Sequence, residues 1–376
     1  MPFANFQVST RVTFGPGALA AVGVIAKEGG LRRVLIVTDA GVVRAGIPRR
    51  VCEELAHAGV EGVIFDAVEA NPSVETVDRV LETYQTQSCQ GLLAVGGGSP
   101  MDAAKAAGAL ATNPGRLLDY VGIGKFPRPL PPLVAIPTTT GTGSEVTPFA
   151  IITDHAQRRK VVIGSPLMAP LHALLDPSLV ANLPTGLLAA TAMDALTHAT
   201  ESVISVFASP FSDSLALEAI RMISANLRKA VGTAALESRA NLLYASTMAG
   251  MAFSYARVGL VHGMAHPLSA YYDVPHGLAN AILLPHVLAY NTPTCETALC
   301  RVAQALGEPP TSAAAISAIR KLGADVGIPA NLAAVGVTPE FIPEMSQDAF
   351  QSGNAQVVNP RKPTLDDIVG LYEQAL

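Results

Sequence analysis

Cysteine, aromatic side chains and charge are all scarce in this chain of 376 residues. Its four cysteines form no CxxC pair and no dense framework, which argues against a disulfide scaffold and a cysteine-ligated zinc site. Charged residues amount to 15% and leave a formal net charge of -5, so the chain lacks the broad basic surface that nucleic acid or an anionic membrane requires. Small molecules are therefore the expected ligands, with no nucleic acid and no membrane among the expected partners.

Long apolar runs are missing as well. A membrane-spanning helix needs about 18 uninterrupted apolar residues, and no such stretch occurs in this sequence. The first residues, MPFANFQVSTRVTF, do not combine a basic segment with an apolar run, so they do not match a secretory signal. Because sparse cysteines also suit a reducing compartment, these absences predict a cytoplasmic protein.

Hydrophobic residues, in contrast, make up 49% of the chain, and its length exceeds what one core commonly serves, so two domains are expected. Up to residue 183, short β-rich runs alternate with amphipathic helical patterns. This alternation predicts an α/β domain with a Rossmann-like, mostly parallel sheet. From residue 184 onward helical periodicity dominates, which predicts an all-α domain over 184–376.

A run of glycines follows the predicted strand LLAV. Gly97, Gly98 and Ser99 stand there directly before a predicted helix. Glycine lets the backbone approach an anion closely, and a helix N-terminus presents N–H groups to a pyrophosphate. An ordinary tight turn would look the same, but a second polar loop, residues 138–144, follows another strand. Two such loops at one sheet edge favour a nucleotide.

Asp39 ends another predicted strand, LIVTD. A carboxylate there can accept hydrogen bonds from the adenosine ribose hydroxyls and repel a 2′-phosphate, which favours NAD over NADP. The same residue could instead be the N-cap of the following helix. The sequence leaves both roles open.

The second half spaces acidic and imidazole groups as metal ligands are spaced. Asp194 and His198 stand four residues apart in a predicted helix, so both project from one face. A buried Asp–His hydrogen bond would give the same spacing, but half of the eight histidines fall within one apolar stretch, residues 262–286. One carboxylate with several imidazoles suits Fe(II) or Zn(II) better than Mg(II) or Ca(II).

Four segments together resemble the iron-containing, or group III, alcohol dehydrogenase family. They are GGGSPMDAAK (96–105), IPTTTGTGSEVTPFAIITD (136–154), MDALTHATES (193–202) and GMAHPLSAYYDVPHGLANAILLPH (263–286), with a weaker echo in NPR (359–361). The resemblance runs along nearly the whole chain. It implies an α/β domain followed by a helical domain, as in dehydroquinate synthase, together with NAD, one divalent metal and a homodimer or larger homo-oligomer.

The resemblance also assigns roles to individual residues. The metal, with Fe(II) favoured and Zn(II) the alternative, would be held by Asp194, His198, His262 and His276. His266 would be the catalytic residue beside the metal that relays the released proton. Cofactor contacts would fall on Asp39, Asn71, Gly97, Gly98, Ser99, Asp102, Thr138, Thr139, Thr142 and Lys160. The substrate pocket would be lined by Thr147, Phe149 and Phe253.

The implied function is that of a metal-dependent, NAD-linked alcohol dehydrogenase or aldehyde reductase. It would transfer hydride reversibly between nicotinamide C4 and a small primary alcohol or aldehyde. Three alternatives stay open: a metal-independent reductase of the maleylacetate reductase type, a dehydroquinate synthase-like enzyme that recycles its NAD, and a nucleotide-binding module without activity. Arg257, which departs from the family pattern, could recognise an anionic substrate or form an ordinary ion pair.

Overall fold

The structure is a computed structural model that describes residues 6–157 and 159–376. Residues 1–5, on which the expected absence of a secretory signal partly depends, lie outside the described residues. The chain divides into two compact units. We call residues 8–139 and 144–182 the sheet unit, and the described part of residues 1–7 with residues 140–143 and 183–376 the helical unit.

The sheet unit is built on a parallel sheet. Among the described residues its six strands lie in the order β1-β9-β6-β4-β2-β3, and a smaller sheet has the order β5-β8-β7, with β7 and β8 antiparallel. The strands are β1 (Arg11–Phe14), β2 (Arg33–Val37), β3 (Glu61–Phe65), β4 (Gly91–Gly96), β5 (Gly122–Ile123), β6 (Leu133–Pro137), β7 (Phe149–Asp154), β8 (Arg159–Gly164) and β9 (His172–Leu175). The helices of this unit are α1 (Ala21–Glu28), α2 (Ala40–Arg44), α3 (Ile47–His57), α4 (Val74–Thr86) and α5 (Gly98–Thr112).

Strand β4 shows why the central strands are apolar throughout. Leu92 and Ala94 belong to one hydrophobic core of the sheet unit, and the alternate residues Leu93 and Val95 belong to the other. A strand whose two faces are both covered by helices needs apolar side chains at every position. The sheet therefore has a core on each face, and its loops are the segments available to a ligand.

The carboxyl ends of β2, β4 and β6 lie side by side, because these three strands are parallel neighbours. The segments that follow them begin at Thr38, Gly97 and Thr138. The predicted glycine turn and the predicted threonine-rich loop therefore start at the same edge of the sheet, which we call the carboxyl edge.

The helical unit packs around α6, which is buried at nearly every position from Leu188 to Ile204. A helix that is buried around its whole circumference lies in the centre of a bundle, and α6 packs against α7, α8 and α10. The helices of this unit are α6 (Thr185–Ile204), α7 (Pro210–Gly232), α8 (Leu236–Ala256), α9 (Leu260–Tyr272), α10 (His276–Leu306), α11 (Ser312–Asp325), α12 (Ile342–Gln351) and α13 (Leu365–Ala375). No helix in the described part of the chain has both the length and the apolar character to cross a membrane.

Candidate functional site

Three helices bring the four predicted metal ligands together inside the helical unit. Asp194 and His198 lie on α6, His262 lies in the first turn of α9, and His276 is the first residue of α10. The Oδ1 atom of Asp194 lies 4.0 Å, 3.8 Å and 3.9 Å from the Nε2 atoms of His198, His262 and His276. The ligand atoms of Asp194, His262 and His276 all lie within 4.8 Å of one another. Asp194, His198 and His262 are buried, and His276 is half-buried.

A glycine allows α10 to approach α6 closely enough for this arrangement. A Cβ atom at Gly277 would lie 2.5 Å from the carbonyl oxygen of Ala190 and 3.4 Å from Cβ of Asp194. Any larger residue would push the start of α10 away from α6, because backbone atoms cannot give way as a flexible side chain can. Gly277 thus sets the distance between His276 and Asp194.

The amide of Asn280 lies at the centre of the cluster and shows what the cluster fits. Its Nδ2 atom lies 2.6 Å from Asp194 Oδ1 and 3.1 Å from the Nε2 atoms of both His262 and His276. An amide has only two hydrogens for these three acceptors, and its own buried Oδ1 atom has no hydrogen-bond partner among the described residues. Acceptors that converge in this way fit a cation better than an amide. In a tetrahedral zinc site the ligand atoms lie about 3.4 Å apart, compared with 3.8 Å and 3.9 Å here between Asp194 Oδ1 and the Nε2 atoms of His262 and His276.

The protonation of His198 also suits a metal ligand. Burial lowers the pKa of His198 to about 4, although the Asp194 carboxylate acts in the opposite direction. The imidazole is therefore neutral at physiological pH, and neutral imidazole is the form that coordinates a metal. Its ring stacks between Phe253 at 4.4 Å and His262 at 4.6 Å between ring centroids, which fixes its orientation.

His266 and Phe253 lie at the margin of the cluster. The ring of His266 stacks on His276 at 5.4 Å and meets His262 edge-on at 6.3 Å. It is half-buried, as His276 is, and its ring lies beside those of His262 and His276. Phe253, predicted to line the substrate pocket, covers one face of His198. Thr147 and Phe149, the other predicted pocket residues, belong to the sheet unit.

Sequence reasoning missed two residues of this site, Glu201 and Asn280. Glu201 is fully buried, and its Oε2 atom lies 2.6 Å from Nδ1 of His262. Its spacing from Asp194 and His198 offered a signal, because residues at i, i+4 and i+7 share one helix face. Asn280 stands four residues after His276 in an apolar run, which was a similar signal.

At the carboxyl edge, three predicted cofactor residues contact one another. The backbone N–H of Asn71 donates to Ser99 Oγ at 3.3 Å, and Lys160 Nζ donates to Asn71 Oδ1 at 2.9 Å. The glycine turn and the threonine-rich loop also meet there, since a Cβ atom at Gly97 would lie 3.2 Å from the Thr139 side chain. The edge thus gathers N–H groups, hydroxyls and an ammonium, which are donors suited to phosphate.

Asp39 caps α2 in this structure. Its Oδ1 atom accepts hydrogen bonds from the backbone N–H groups of Gly41 at 2.7 Å and Val42 at 2.9 Å. The N-cap role left open by the sequence is therefore present. Recognition of the ribose stays a prediction.

Asp102 and Lys105 form a buried network within the sheet unit that sequence reasoning saw only in part. Asp102, a predicted cofactor contact, accepts hydrogen bonds from Ser144 Oγ at 2.8 Å and from the N–H of Ile151 at 3.0 Å. Lys105 was assigned no role, yet its ammonium donates to Ser144 Oγ at 2.8 Å and to Thr147 Oγ1 at 3.1 Å. A lysine in an alanine-rich apolar helix, as in GGGSPMDAAKAAGAL, was the available signal.

Thr142, another predicted cofactor contact, groups with the helical unit together with the rest of residues 140–143.

A covered parallel sheet with polar loops at its carboxyl edge lies in one chain with a carboxylate and imidazole cluster. This combination is typical of metal-dependent, nucleotide-linked oxidoreductases. Comparison with known proteins narrows the class. The family model described as "Iron-containing alcohol dehydrogenase" matches residues 9–177. The model described as "Fe-containing alcohol dehydrogenase family, C-terminal" matches residues 188–376.

Whole-chain relatives agree with these matches. A 1,3-propanediol dehydrogenase of Citrobacter freundii is 42% identical over 372 residues, which cover 96% of each chain. An NAD-dependent methanol dehydrogenase of Bacillus methanolicus is 37% identical over 380 residues, which cover 99% of this chain and 100% of that protein. A solved structure of a 1,3-propanediol oxidoreductase matches with a TM-score of 0.97 at 41% identity and covers 100% of both chains.

The chain therefore belongs to the iron-containing alcohol dehydrogenase family. This confirms the resemblance noted in the sequence, the predicted fold class and the predicted class of activity, an NAD-linked alcohol dehydrogenase or aldehyde reductase.

Proposed function

We propose that this chain transfers hydride reversibly between nicotinamide C4 of NAD and a small primary alcohol or aldehyde, with one divalent metal held by Asp194, His198, His262 and His276. The proposal is carried by the convergence of Asp194, His262 and His276 on the position that Asn280 Nδ2 occupies. His198 joins them through its Nε2 atom, 4.0 Å from Asp194 Oδ1. Both Fe(II) and Zn(II) accept mixed oxygen and nitrogen ligands. Fe(II) is the proposed ion because the family is described as iron-containing, and Zn(II) is the alternative. The names of the relatives, which mention propanediol and methanol, support a small alcohol as substrate.

The proposed ligands compensate only half of a divalent cation's charge. Asp194 contributes one negative charge, whereas three imidazoles contribute none. A divalent ion bound there would supply Lewis acidity at the oxygen of an alcohol or aldehyde. His266 stacks on His276 and is half-buried, so it can take a proton at a ring nitrogen and pass it to solvent. Phe253 keeps water from one face of His198.

For the sheet unit we propose a dinucleotide-binding role. The predicted contacts in this unit include Asp39 for the ribose and Thr138, Gly98 and Ser99 for the pyrophosphate. Residues 1–183 and 184–376 are proposed as the cofactor-binding domain and the metal and substrate domain. We further propose a cytoplasmic homodimer or larger homo-oligomer.

The test is an anaerobic purification followed by elemental analysis and an NADH-linked screen of small aldehydes and alcohols. We expect about one metal ion per chain and NADH oxidation with small aldehydes. Equal turnover by the metal-free protein would contradict the proposal and favour the maleylacetate reductase type. NADH formation in stoichiometric amounts on adding an alcohol distinguishes the proposal from a dehydroquinate synthase-like enzyme, which returns its cofactor to the oxidised form.

Removal of the metal is expected to leave NAD binding nearly unchanged. Of the predicted cofactor contacts, only Thr142 lies in the helical unit that carries the proposed ligands. The dissociation constant of NADH, measured by fluorescence before and after chelation, should therefore change less than about twofold, or about 0.4 kcal/mol. Parallel loss of NADH affinity and metal would contradict separate sites.

Arg257 is expected to have no part in substrate charge selection. Its guanidinium lies over the ring of Phe207 at 4.8 Å, and its backbone ends α8 with φ 63 and ψ 178. The ring contact and the helix-end position explain the placement of Arg257 at the surface without a substrate contact. Arg257→Ala should therefore alter kcat/KM for acidic and neutral aldehydes by equal factors. A selective loss for acidic aldehydes would restore the anionic-substrate hypothesis.

A further inference from the structure

Helix α9 begins without a capping side chain of its own. Its N-cap residue is Gly259, and the N–H groups of the first helical turn have no intrahelical acceptors. Two side chains from distant segments accept these hydrogens instead. Glu201 Oε1, on α6, accepts from Val261 at 2.8 Å, and Asn359 Oδ1 accepts from Leu260 at 3.4 Å.

Gly259 is required for this remote cap. A Cβ atom there would lie 3.0 Å from Glu201 Oε1 and 3.2 Å from Asn359 Oδ1, so a side chain would press both acceptors away from the helix. Asn359 is itself held by a reciprocal pair of hydrogen bonds with Asn291, at 2.9 Å and 2.8 Å. The weak NPR echo near the C-terminus thus has a structural role, since its asparagine contributes to the start of α9.

Glu201 contacts more than the backbone. Its second oxygen, Oε2, lies 2.6 Å from Nδ1 of His262, and a carboxylate only accepts hydrogen bonds. A neutral His262 ring must therefore carry its hydrogen on Nδ1, which leaves the lone pair on Nε2. Asn280 Nδ2, which can only donate, lies 3.1 Å from that Nε2 atom, and this contact is compatible with the same tautomer. Nε2 is the atom that faces Asp194.

We propose that Glu201 is a positioning residue that holds His262 in its Nδ1–H tautomer and so presents the Nε2 lone pair to the cation. The second half of this statement depends on the metal site of the proposed function. One carboxylate thereby fixes both the start of α9 and the ligand carried in its first turn. Outer carboxylates of this kind change metal affinity by about 10- to 100-fold when they are removed from known sites.

Glu201→Gln is the informative variant because it keeps the size of the side chain and reverses its hydrogen bonding at one atom. The glutamine oxygen can still accept from Val261, whereas its NH₂ group would donate to Nδ1 of His262 and favour the Nε2–H tautomer. Thr200→Val is the matched control. Thr200 is a fully buried neighbour on α6, and its hydroxyl has no hydrogen-bond partner among the described residues.

The measurements use the full chain labelled with ¹⁵N only at histidine, and His262→Gln identifies the relevant signals among the eight histidines. After chelation, solid-state ¹⁵N spectra should show Nδ1–H for His262 in the wild type and in Thr200→Val, and Nε2–H in Glu201→Gln. The dissociation constant for Zn²⁺, measured against a chromophoric chelator, should rise by about 10- to 100-fold in Glu201→Gln only.

A purely structural cap would give a different pattern. Asn359→Ala should lower the unfolding midpoint but leave the His262 tautomer as in the wild type, whereas Glu201→Gln should change the tautomer. A Glu201→Gln protein with the wild-type tautomer and wild-type Zn²⁺ affinity would overturn the proposal. If the wild type itself binds no Zn²⁺, the metal site fails, and the tautomer in the chelated protein alone decides the role of Glu201.

Discussion

Replacement of His262 by alanine is expected to lower kcat/KM for aldehyde reduction by about 10³-fold or more. Lewis acidity at a substrate oxygen contributes several kcal/mol to catalysis, and about 4 kcal/mol corresponds to a factor of 10³. His262 has the strongest claim among the candidate ligands, because it is 2% exposed and is held at Nδ1 by Glu201 and at Nε2 by Asn280. Its loss would remove one ligand and leave the buried Glu201 carboxylate facing a cavity.

The loss of kcat/KM in His262→Ala should result from loss of the metal and not from unfolding. Bound metal and kcat/KM should fall together in His262→Ala, while the dissociation constant of NADH stays close to the wild-type value. His57→Ala is the matched control, since the side chain of His57 is 80% exposed and lies in the sheet unit. A His262→Ala enzyme that lost its metal but retained wild-type kcat/KM would show that catalysis does not need the cation.

The candidate ligands were predictable because their spacing is local. Asp194 and His198 share a helix face, and three further histidines of one apolar stretch cluster within 15 residues, from His262 to His276. The contacts that support them were not predictable in this way. Glu201 meets His262 across 61 positions of the chain, and Asn359 meets Leu260 across 99. Such pairs exist only after the helices have packed, so local periodicity does not reveal them.

The sheet shows the same division between local and distant information. Strands β2, β3, β4 and β6 follow from apolar runs bounded by turn residues, and each is present in the structure. The edge strand β1 and its neighbour β9 are only four residues long. Their pairing joins Arg11 to His172, far apart in the chain, so neither strand carries a clear signal by itself. Tertiary pairing decides such short segments.

Replacement of Lys105 by methionine is expected to lower the free energy of unfolding by about 3–5 kcal/mol. The Lys105 side chain is fully buried, and all three of its N–H groups have acceptors, namely Ser144 Oγ, Thr147 Oγ1 and the carbonyl oxygen of Phe149. Burial lowers the pKa of Lys105 to about 8, so the ammonium form still predominates at pH 7. Methionine fills similar space without the charge or the donors.

The loss of stability in Lys105→Met should arise mainly at Asp102, because this carboxylate is also buried. Burial raises the pKa of Asp102, and the Lys105 charge is the largest influence that lowers it again. Removing one partner of a buried pair leaves the other charge poorly compensated. Urea unfolding of the NAD-free protein measures the effect, with Lys27→Met, an exposed lysine of α1, expected to change stability by less than about 0.5 kcal/mol.

A double-mutant cycle separates the charge from the packing. Asp102→Asn removes the charge that Lys105→Met leaves behind, so the double variant should be more stable than the sum of the two single losses predicts, by about 1 kcal/mol or more. Strict additivity would mean that Lys105 acts through the Thr147 and Phe149 contacts alone. In either case the pair fixes the segment from Ser144 to Phe149 onto α5, and the same α5 begins at the glycine turn. Lys105→Met should for this reason also weaken NADH binding, although it lies outside the predicted cofactor contacts.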